Sequence, residues 1–465
     1  MADDRGFRVE KDFLGEVKVP ESALFGAQTQ RAVDNFPVSG VRIPMSLIRA
    51  LGIIKRAAAE TNAELRTLDA KIAEAIARAA GEVAEGTHDA QFPVDVFQTG
   101  SGTSSHMNAN EVIANRASIL LGGQAGKKDP VHPNDHVNLG QSSNDVFPTA
   151  IHIATVLDCD LLLIPAMETL ERAFVERAAA FDHVVKLGRT HLMDAVPVRL
   201  SQELFGYASQ LRSARGRVER AREGLLELPL GGTAVGTGVG APPGFAVRTI
   251  ARIGATTGVP FRDPVDRFEA MASRDALVAY AAALRGVAIS LTKIANDLRW
   301  MASGPASGLA EIRIPDLQPG SSIMPGKVNP VVLEMTLMVA AQVVGADTTV
   351  AWAGARGEFE INVMMPVIAL NVLGPTELLS RAMNLLTEKV VRGLEANEER
   401  ARSFVERSSA MVTALAPKLG YDRASEIARE AQATGKTVRA IVSERGLIPP
   451  AELDALLDAR KLTGE

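Results

Sequence analysis

Five windows of this chain, residues 148–180, 200–228, 275–301, 329–350 and 366–395, repeat apolar side chains at helical spacing. Each is about twice the length of an average globular helix, ~11–12 residues, or longer. Some are apolar nearly all round. Such helices must bury against one another, and an elongated bundle does so. Their apolar flanks also suit a subunit interface. Pro165 predicts a kink or break inside the first window. Aromatic residues make up only 4% of the chain and alanine is abundant, which favours helices over large sheets. The expectation is a mostly α protein.

Three domains are expected: 1–140, mixed but mainly helical; 141–396, the long-helix bundle; and 397–465, a small helical appendage. The first holds a strand-like alternation, Gly15-Glu16-Val17-Lys18-Val19-Pro20, and helical patterns at 44–64 and 68–85. The last has turns at Leu419-Gly420-Tyr421-Asp422 and at Gly446-Leu447-Ile448-Pro449-Pro450.

Fifty basic against fifty-five acidic residues give a net charge of −5, which argues against nucleic acid as a partner. No 18-residue apolar run free of charge reads as a membrane span; the nearest, 330–346, contains Glu334. The opening MADDRGFRVEKD lacks the pattern of a signal peptide or presequence. Cys159 is the only cysteine, so an internal disulfide or a cysteine-held cluster is ruled out. A cytoplasmic protein is expected. Gly236-Thr237-Gly238-Val239-Gly240-Ala241 imitates a dinucleotide fingerprint, but Pro242-Pro243 follows in place of a helix, so it reads as a loop. Gly320 to Lys327 imitates a phosphate loop, but Val328 stands where Ser or Thr would bind magnesium. His132 and His136, four apart around a proline, read as loop residues and not as zinc ligands.

Four polar loops remain. Ser101, Gly102 and Thr103 open a helix, whose free amides and partial positive charge suit a carboxylate. Ser142, Ser143 and Asn144 precede a second helix, after the run His132, Pro133, Asn134, Asp135. Thr190 and His191 lie between two long helical windows, and an imidazole is the natural proton shuttle near neutral pH. The fourth loop is Gly320-Ser321-Ser322-Ile323-Met324-Pro325-Gly326-Lys327-Val328-Asn329-Pro330. Its glycines, serines and proline make a loop able to close as a lid, and Lys327 and Asn329 offer donors to an anion. Glu334 follows among Val331, Val332, Leu333, Met335 and Leu337. A carboxylate there needs a partner, whether a histidine or an arginine.

Together these loops resemble the aspartase/fumarase superfamily, and within it the class II fumarate hydratases. The resemblance runs from Phe25-Gly26-Ala27-Gln28-Thr29-Gln30-Arg31 to Gly420-Tyr421-Asp422, and GSSIMPGKVNP at 320–330 is the superfamily signature. His191 after Thr190, Ser143 in the Ser142-Ser143-Asn144-Asp145 run, and Gly326 before Lys327 favour fumarase over aspartate ammonia-lyase, the alternative. The resemblance implies a three-domain, mostly helical subunit. Four such subunits would form a homotetramer with a twenty-helix core, and each active site would be shared by three of them. His106 departs from the family's usual Asn, while Asn108 and Asn110 are kept. Phe25 replaces a usual Trp.

By the same resemblance, the reaction is reversible hydration of fumarate to (S)-malate, in the citric acid cycle. Ser321 would take the proton, and His191, oriented by Glu334, would handle the water. Ser101, Gly102, Thr103, Ser142, Ser143, Asn144, Thr190, Ser322, Lys327, Val328 and Asn329 would bind the substrate. His132, Pro133, Asn134 and Asp135 match the family's second dicarboxylate site. No metal or organic cofactor is expected. A catalytically dead relative, of the kind found in eye lenses, would be expected to lack one of Ser321, His191, Lys327 or Glu334, and all four are present.

Overall fold

The computed structural model describes residues 6–464, so the first five residues of the opening run lie outside it. Helices dominate, and every strand belongs to a two-stranded hairpin or bridge. The chain divides into two compact units. One holds the residues up to Ile164, Gly216–Gly286 and Ala341–Leu379; the other holds Pro165–Arg215, Val287–Ala340 and the residues from Ser380.

In the first unit, β1 (Phe7–Asp12) and β2 (Gly15–Pro20) pair antiparallel, with β2 where the alternation predicted it. After α1 (Ala27–Asn35), α2 (Met45–Glu64) and α3 (Ala70–Ala84) fill the two predicted windows. Asp69 starts α3 by accepting the amides of Lys71 and Ile72. Leu47, Leu51 and Ile54 of α2 and Ile76 and Ala80 of α3 are fully buried. Gly52 permits their close approach, because a Cβ there would sit 2.6 Å from the Ala84 nitrogen. Next come α4 (Thr103–Leu120), packed on α3, and α5 (Ser143–Asp158), packed on α2 and α4. Buried Glu111 of α4 accepts the amides of Gly26, Gln28 and Thr29 and the Thr29 hydroxyl, which pins the entry to α1.

The first long window differs from its prediction. It begins at Ser143, and Pro165 does not break it. A π-helical turn, Cys159–Leu163, leads without interruption into α6 (Ile164–Ala180), so the helix runs on through the proline, which lacks an N–H. The other windows become α7 (Leu200–Glu223), α10 (Asp275–Met301), α11 (Val331–Gly354) and α12 (Met365–Leu386). Between α7 and α10 lie α8 (Phe245–Thr257), which packs on α2, and the short α9 (Arg267–Ala272). The last window ends early, in a π-helical turn at Thr387–Val391. The unit boundary falls inside α7, α10, α11 and α12.

The second unit contains an antiparallel hairpin, β3 (Val185–Thr190) and β4 (Met193–Arg199). Phe174 of α6 meets Tyr207 of α7 edge to face at 5.7 Å, and the Tyr207 hydroxyl donates to Asp297 at 2.9 Å. Its final stretch is a set of short helices: α13 (Glu398–Arg407), α14 (Ala416–Leu419), α15 (Tyr421–Thr434), α16 (Val438–Glu444) and α17 (Pro450–Leu456). Leu415, Ile427, Ile441 and Leu453 form its core, together with Leu187 of β3. Gly420, at φ +80°, makes the turn expected between α14 and α15.

The reading that no segment resembles a membrane span needs correction. The helical stretch Ser143–Ala180 and helices α10 and α11 are long and apolar enough to cross a membrane by length and composition. Freedom from charge is too strict a criterion, since one or two charges do not cancel such hydropathy. In α11 only 33% of the apolar window is buried within the chain. Met338 and Trp352 are both about two-thirds exposed or more (67% and 70%).

Candidate active site

Two of the four loops meet in the first unit. Gly102 adopts φ +73° and gives α4 no side-chain cap, so the Thr103 and Ser104 amides have no partner among the described residues. Beside them the Ser101 and Thr103 hydroxyls lie 2.8 Å apart. A helix start of this kind favours an anion. Gly102 cannot be replaced without cost, because a Cβ would fall 2.3 Å from the Phe147 ring. At the start of α5, Ser142 forms a capping box: its oxygen accepts the Asn144 amide, and Asp145 accepts the Ser142 amide at 2.9 Å. Asp145 also accepts the amides of Gly231 (2.8 Å) and Thr233 (3.0 Å). Burial pushes its carboxyl up to about 6, against the pull of those amides. Asn144 donates to the Ala234 carbonyl at 2.8 Å. The glycine-rich segment set aside as a loop is one, and the turn just before it anchors this helix start.

His106, one turn into α4, joins the two loops. Its Nδ1 lies 2.8 Å from the Ser143 hydroxyl and its Nε2 lies 2.7 Å from Nζ of Lys55. Lys55 and His106 are both fully buried. Sequence reasoning missed Lys55. The signal was its register: it falls one turn after Leu51 and one before Ala58, on the buried face of α2.

The run after His132 folds as a π-helical turn, Pro133–Val137. His132 Nδ1 accepts the amides of Asn134 and Asp135, both at 3.2 Å, and the His132 amide donates to His136 Nδ1. Burial holds His132 below the usual histidine value, so its Nε2–H is left as a half-exposed donor. Asn134 and Asp135 are both exposed, and Pro133 is buried.

The other two loops lie in the second unit. Thr190 and Met193 close the β3–β4 hairpin around His191 and Leu192. Both central residues are left-handed, at φ +57° and +59°, where two-residue hairpins usually carry Asn and Gly. Such backbone costs ~1–3 kcal/mol per residue and persists where the surroundings impose it. It projects the His191 ring into solvent. The base of the hairpin is rigid. Arg189 forks onto Glu311 at 2.8 and 2.9 Å, and buried Lys186 lies 3.3 Å from the same carboxylate.

Residues 320–330 form a closed loop. The Gly320 amide donates to the Lys327 carbonyl at 2.7 Å, and the Asn329 side chain donates to the Gly320 carbonyl at 2.7 Å. Inside it, Ser321 Oγ accepts the amides of Ile323 (3.2 Å) and Met324 (3.0 Å). Amides aimed at an oxygen stabilise its negative charge. Ser321, Lys327 and Val328 line a 420 Å³ hollow, and Ser322, Lys327 and Val328 are exposed. Glu334 lies partly buried on the first turn of α11. No hydrogen bond or ion pair joins it to His191 or to an arginine among the described residues. No group of three or more His, Cys, Asp or Glu able to hold a metal occurs among them either.

A long-helix fold with a hydroxyl-rich helix start and a serine-bearing closed loop defines a class. The family described as Lyase matches residues 15–345, and that described as fumarase C C-terminus matches 411–464. A class II fumarate hydratase of Mycobacterium tuberculosis is 52% identical over 96% of this chain and 93% of its own. A fumarate lyase/delta crystallin of Brucella melitensis, solved with cobalt, superposes with TM-score 0.95 at 44% identity, covering 99% and 100% of the two chains. The class II fumarase of Schistosoma mansoni gives TM-score 0.95 at 37% identity, covering 98% and 99%. The chain belongs to the class II fumarate hydratase family.

Proposed function

We propose that this protein reversibly hydrates fumarate to (S)-malate. The observation that carries the reading is near-complete coverage, at 48–52% identity, by relatives that are all class II fumarate hydratases. Aspartate ammonia-lyase, the alternative on the same scaffold, has no such support. In the dehydration direction, starting from malate, Ser321 as alkoxide takes the proton beside the carboxylate, and the electron pair moves into an aci-carboxylate. The two loop amides on Ser321 support this role by lowering the cost of its ionised form. Lys327 and Asn329 hold the charged carboxylate. Protonated His191, oriented by Glu334, gives its proton to the departing hydroxyl, which leaves as water. Ser101, Gly102, Thr103, Ser142, Ser143, Asn144, Thr190, Ser322 and Val328 bind the two carboxylates. His132, Pro133, Asn134 and Asp135 form a second dicarboxylate site.

The same reading makes the chain one subunit of a cytoplasmic homotetramer serving the citric acid cycle, with domains 1–140, 141–396 and 397–465. The large exposed share of the apolar window in α11 supports self-association, which would cover it. It would also let His191 and Glu334 meet from different subunits.

Absorbance of the fumarate double bond tests the activity. The protein is mixed with (S)-malate, then with L-aspartate, in buffer with chelator. Growth from malate alone is expected. Growth from aspartate alone would overturn the reading.

A further inference from the structure

We infer that His106, locked as the Nδ1–H tautomer by buried Lys55, is a positioning residue that forces the Ser143 hydroxyl to donate its proton outward, toward a substrate carboxylate.

The argument is one of donors and acceptors. Nζ of Lys55 has three neighbours: His106 Nε2 at 2.7 Å, Gln141 Oε1 at 2.9 Å and Asn138 Oδ1 at 3.1 Å. The orientation of both amides is fixed from their far ends. Asn138 Nδ2 donates to the Gln141 carbonyl at 3.1 Å, and Gln141 Nε2 donates to the carbonyls of Val137 (3.1 Å) and Leu139 (3.2 Å). Both amide oxygens therefore face the lysine. An ammonium has three donors and no acceptor, and it matches two amide oxygens and a ring nitrogen able to accept. A neutral amine, with two donors and one acceptor, would instead take a hydrogen from His106 Nε2; burial pushes Lys55 toward that form, and the buried Asp145 carboxylate opposes it and favours the ammonium. His106 Nε2 is then an acceptor, and in a neutral ring the hydrogen sits on Nδ1. Burial and the lysine charge both hold His106 well below the usual histidine value, consistent with a neutral ring.

Nδ1–H then donates to Ser143 Oγ across 2.8 Å. That contact occupies the serine oxygen as acceptor and leaves its hydrogen free. Ser143 is only half-buried, so the hydrogen has an open side. A hydroxyl committed to donating prefers an anion to a neutral or donor group, which gives the site selectivity as well as affinity.

The functional half rests on the proposed role of Ser143 in binding substrate; the tautomer does not. Joint X-ray and neutron crystallography of the unliganded protein after deuterium exchange reads the tautomer directly. Deuterium on His106 Nδ1 and three deuterons on Lys55 Nζ are expected; deuterium on Nε2 overturns the inference. Steady-state kinetics read the function. His106→Asn keeps an N–H where Nδ1 was, whereas His106→Gln keeps only the end facing Lys55, and His106→Leu keeps neither. His106→Gln and His106→Leu should raise KM about tenfold with a smaller change in kcat, and His106→Asn should recover most of that loss. Wild-type KM in folded His106→Gln and His106→Leu would overturn the positioning role. Wild-type KM in Ser143→Ala, with deuterium still on Nδ1, would overturn the role of Ser143 in substrate binding and with it the functional half alone.

Discussion

The amide of Met324 donates to the hydroxyl oxygen of Ser321 across 3.0 Å, inside a loop that Gly320 and Lys327 close. With the Ile323 amide beside it, this oxygen sits in a small nest of donors. Ser321→Ala should lower kcat by roughly 10²–10⁴ while melting temperature stays put, because the loop is exposed. A kcat within about threefold of wild type, by malate-dependent absorbance, would remove Ser321 from the mechanism.

The loop closure makes a separate forecast. A Cβ on Gly320 would stand 2.7 Å from the Asn329 nitrogen and 2.8 Å from the Lys327 carbonyl oxygen. Both are backbone atoms and cannot swing aside. Gly320→Ala should open the loop and reduce kcat/KM about tenfold or more through lost orientation, with little change in unfolding temperature. Unchanged kinetics would show that the closed form is not the working one.

His191 offers a cleaner separation of fold from chemistry. Its left-handed backbone suits Asn better than most residues. His191→Asn should leave the hairpin and circular dichroism intact and cost about 10²–10⁴ in kcat. The pH–rate profile should also lose the limb that the general acid contributes. A preserved limb would assign the acid elsewhere.

Glu311 joins two cations under that hairpin, with its side chain 1% and that of Lys186 2% exposed. Glu311→Ala strips Arg189 of its carboxylate and leaves Lys186 with Glu203 alone, at a cost of up to roughly 3–5 kcal/mol. Denaturant unfolding should show this, and a cost below about 1 kcal/mol would mean that the pair is solvated.

Acid should weaken the fold in a defined window. Burial and the nearby Arg274 charge hold His152, only 7% exposed, down at about 4 from an ordinary 6.5, with Nδ1 donating to the Glu227 carbonyl. The unfolded chain takes up this proton first. The stabilisation is complete above pH 6.5 and is lost as pH falls toward 4, by on the order of 3 kcal/mol. Glu82, held down at about 2 by Arg116, acts in the same sense below pH 4.5. His152→Gln should flatten the fall in melting temperature between pH 6.5 and 4; an equally steep fall in the variant would place the proton uptake on other groups.

The sequence by itself determined the long helices, because periodic apolar side chains force burial whatever surrounds them. It placed β2 and α10 to the residue, and it singled out the glycine and hydroxyl loops, whose composition suits nothing regular. It also determined the family, through the run at 320–330. Tertiary structure decided what spacing along a chain does not encode. A π-helical turn carried the helix through Pro165, since an added residue per turn accommodates a ring that a strict α-helix rejects. The pairing of Lys55 with His106 spans 51 residues, and no local pattern specifies it. The polarity of Ser143 emerges only there, because a hydrogen bond has a direction and that direction is set by every partner around it.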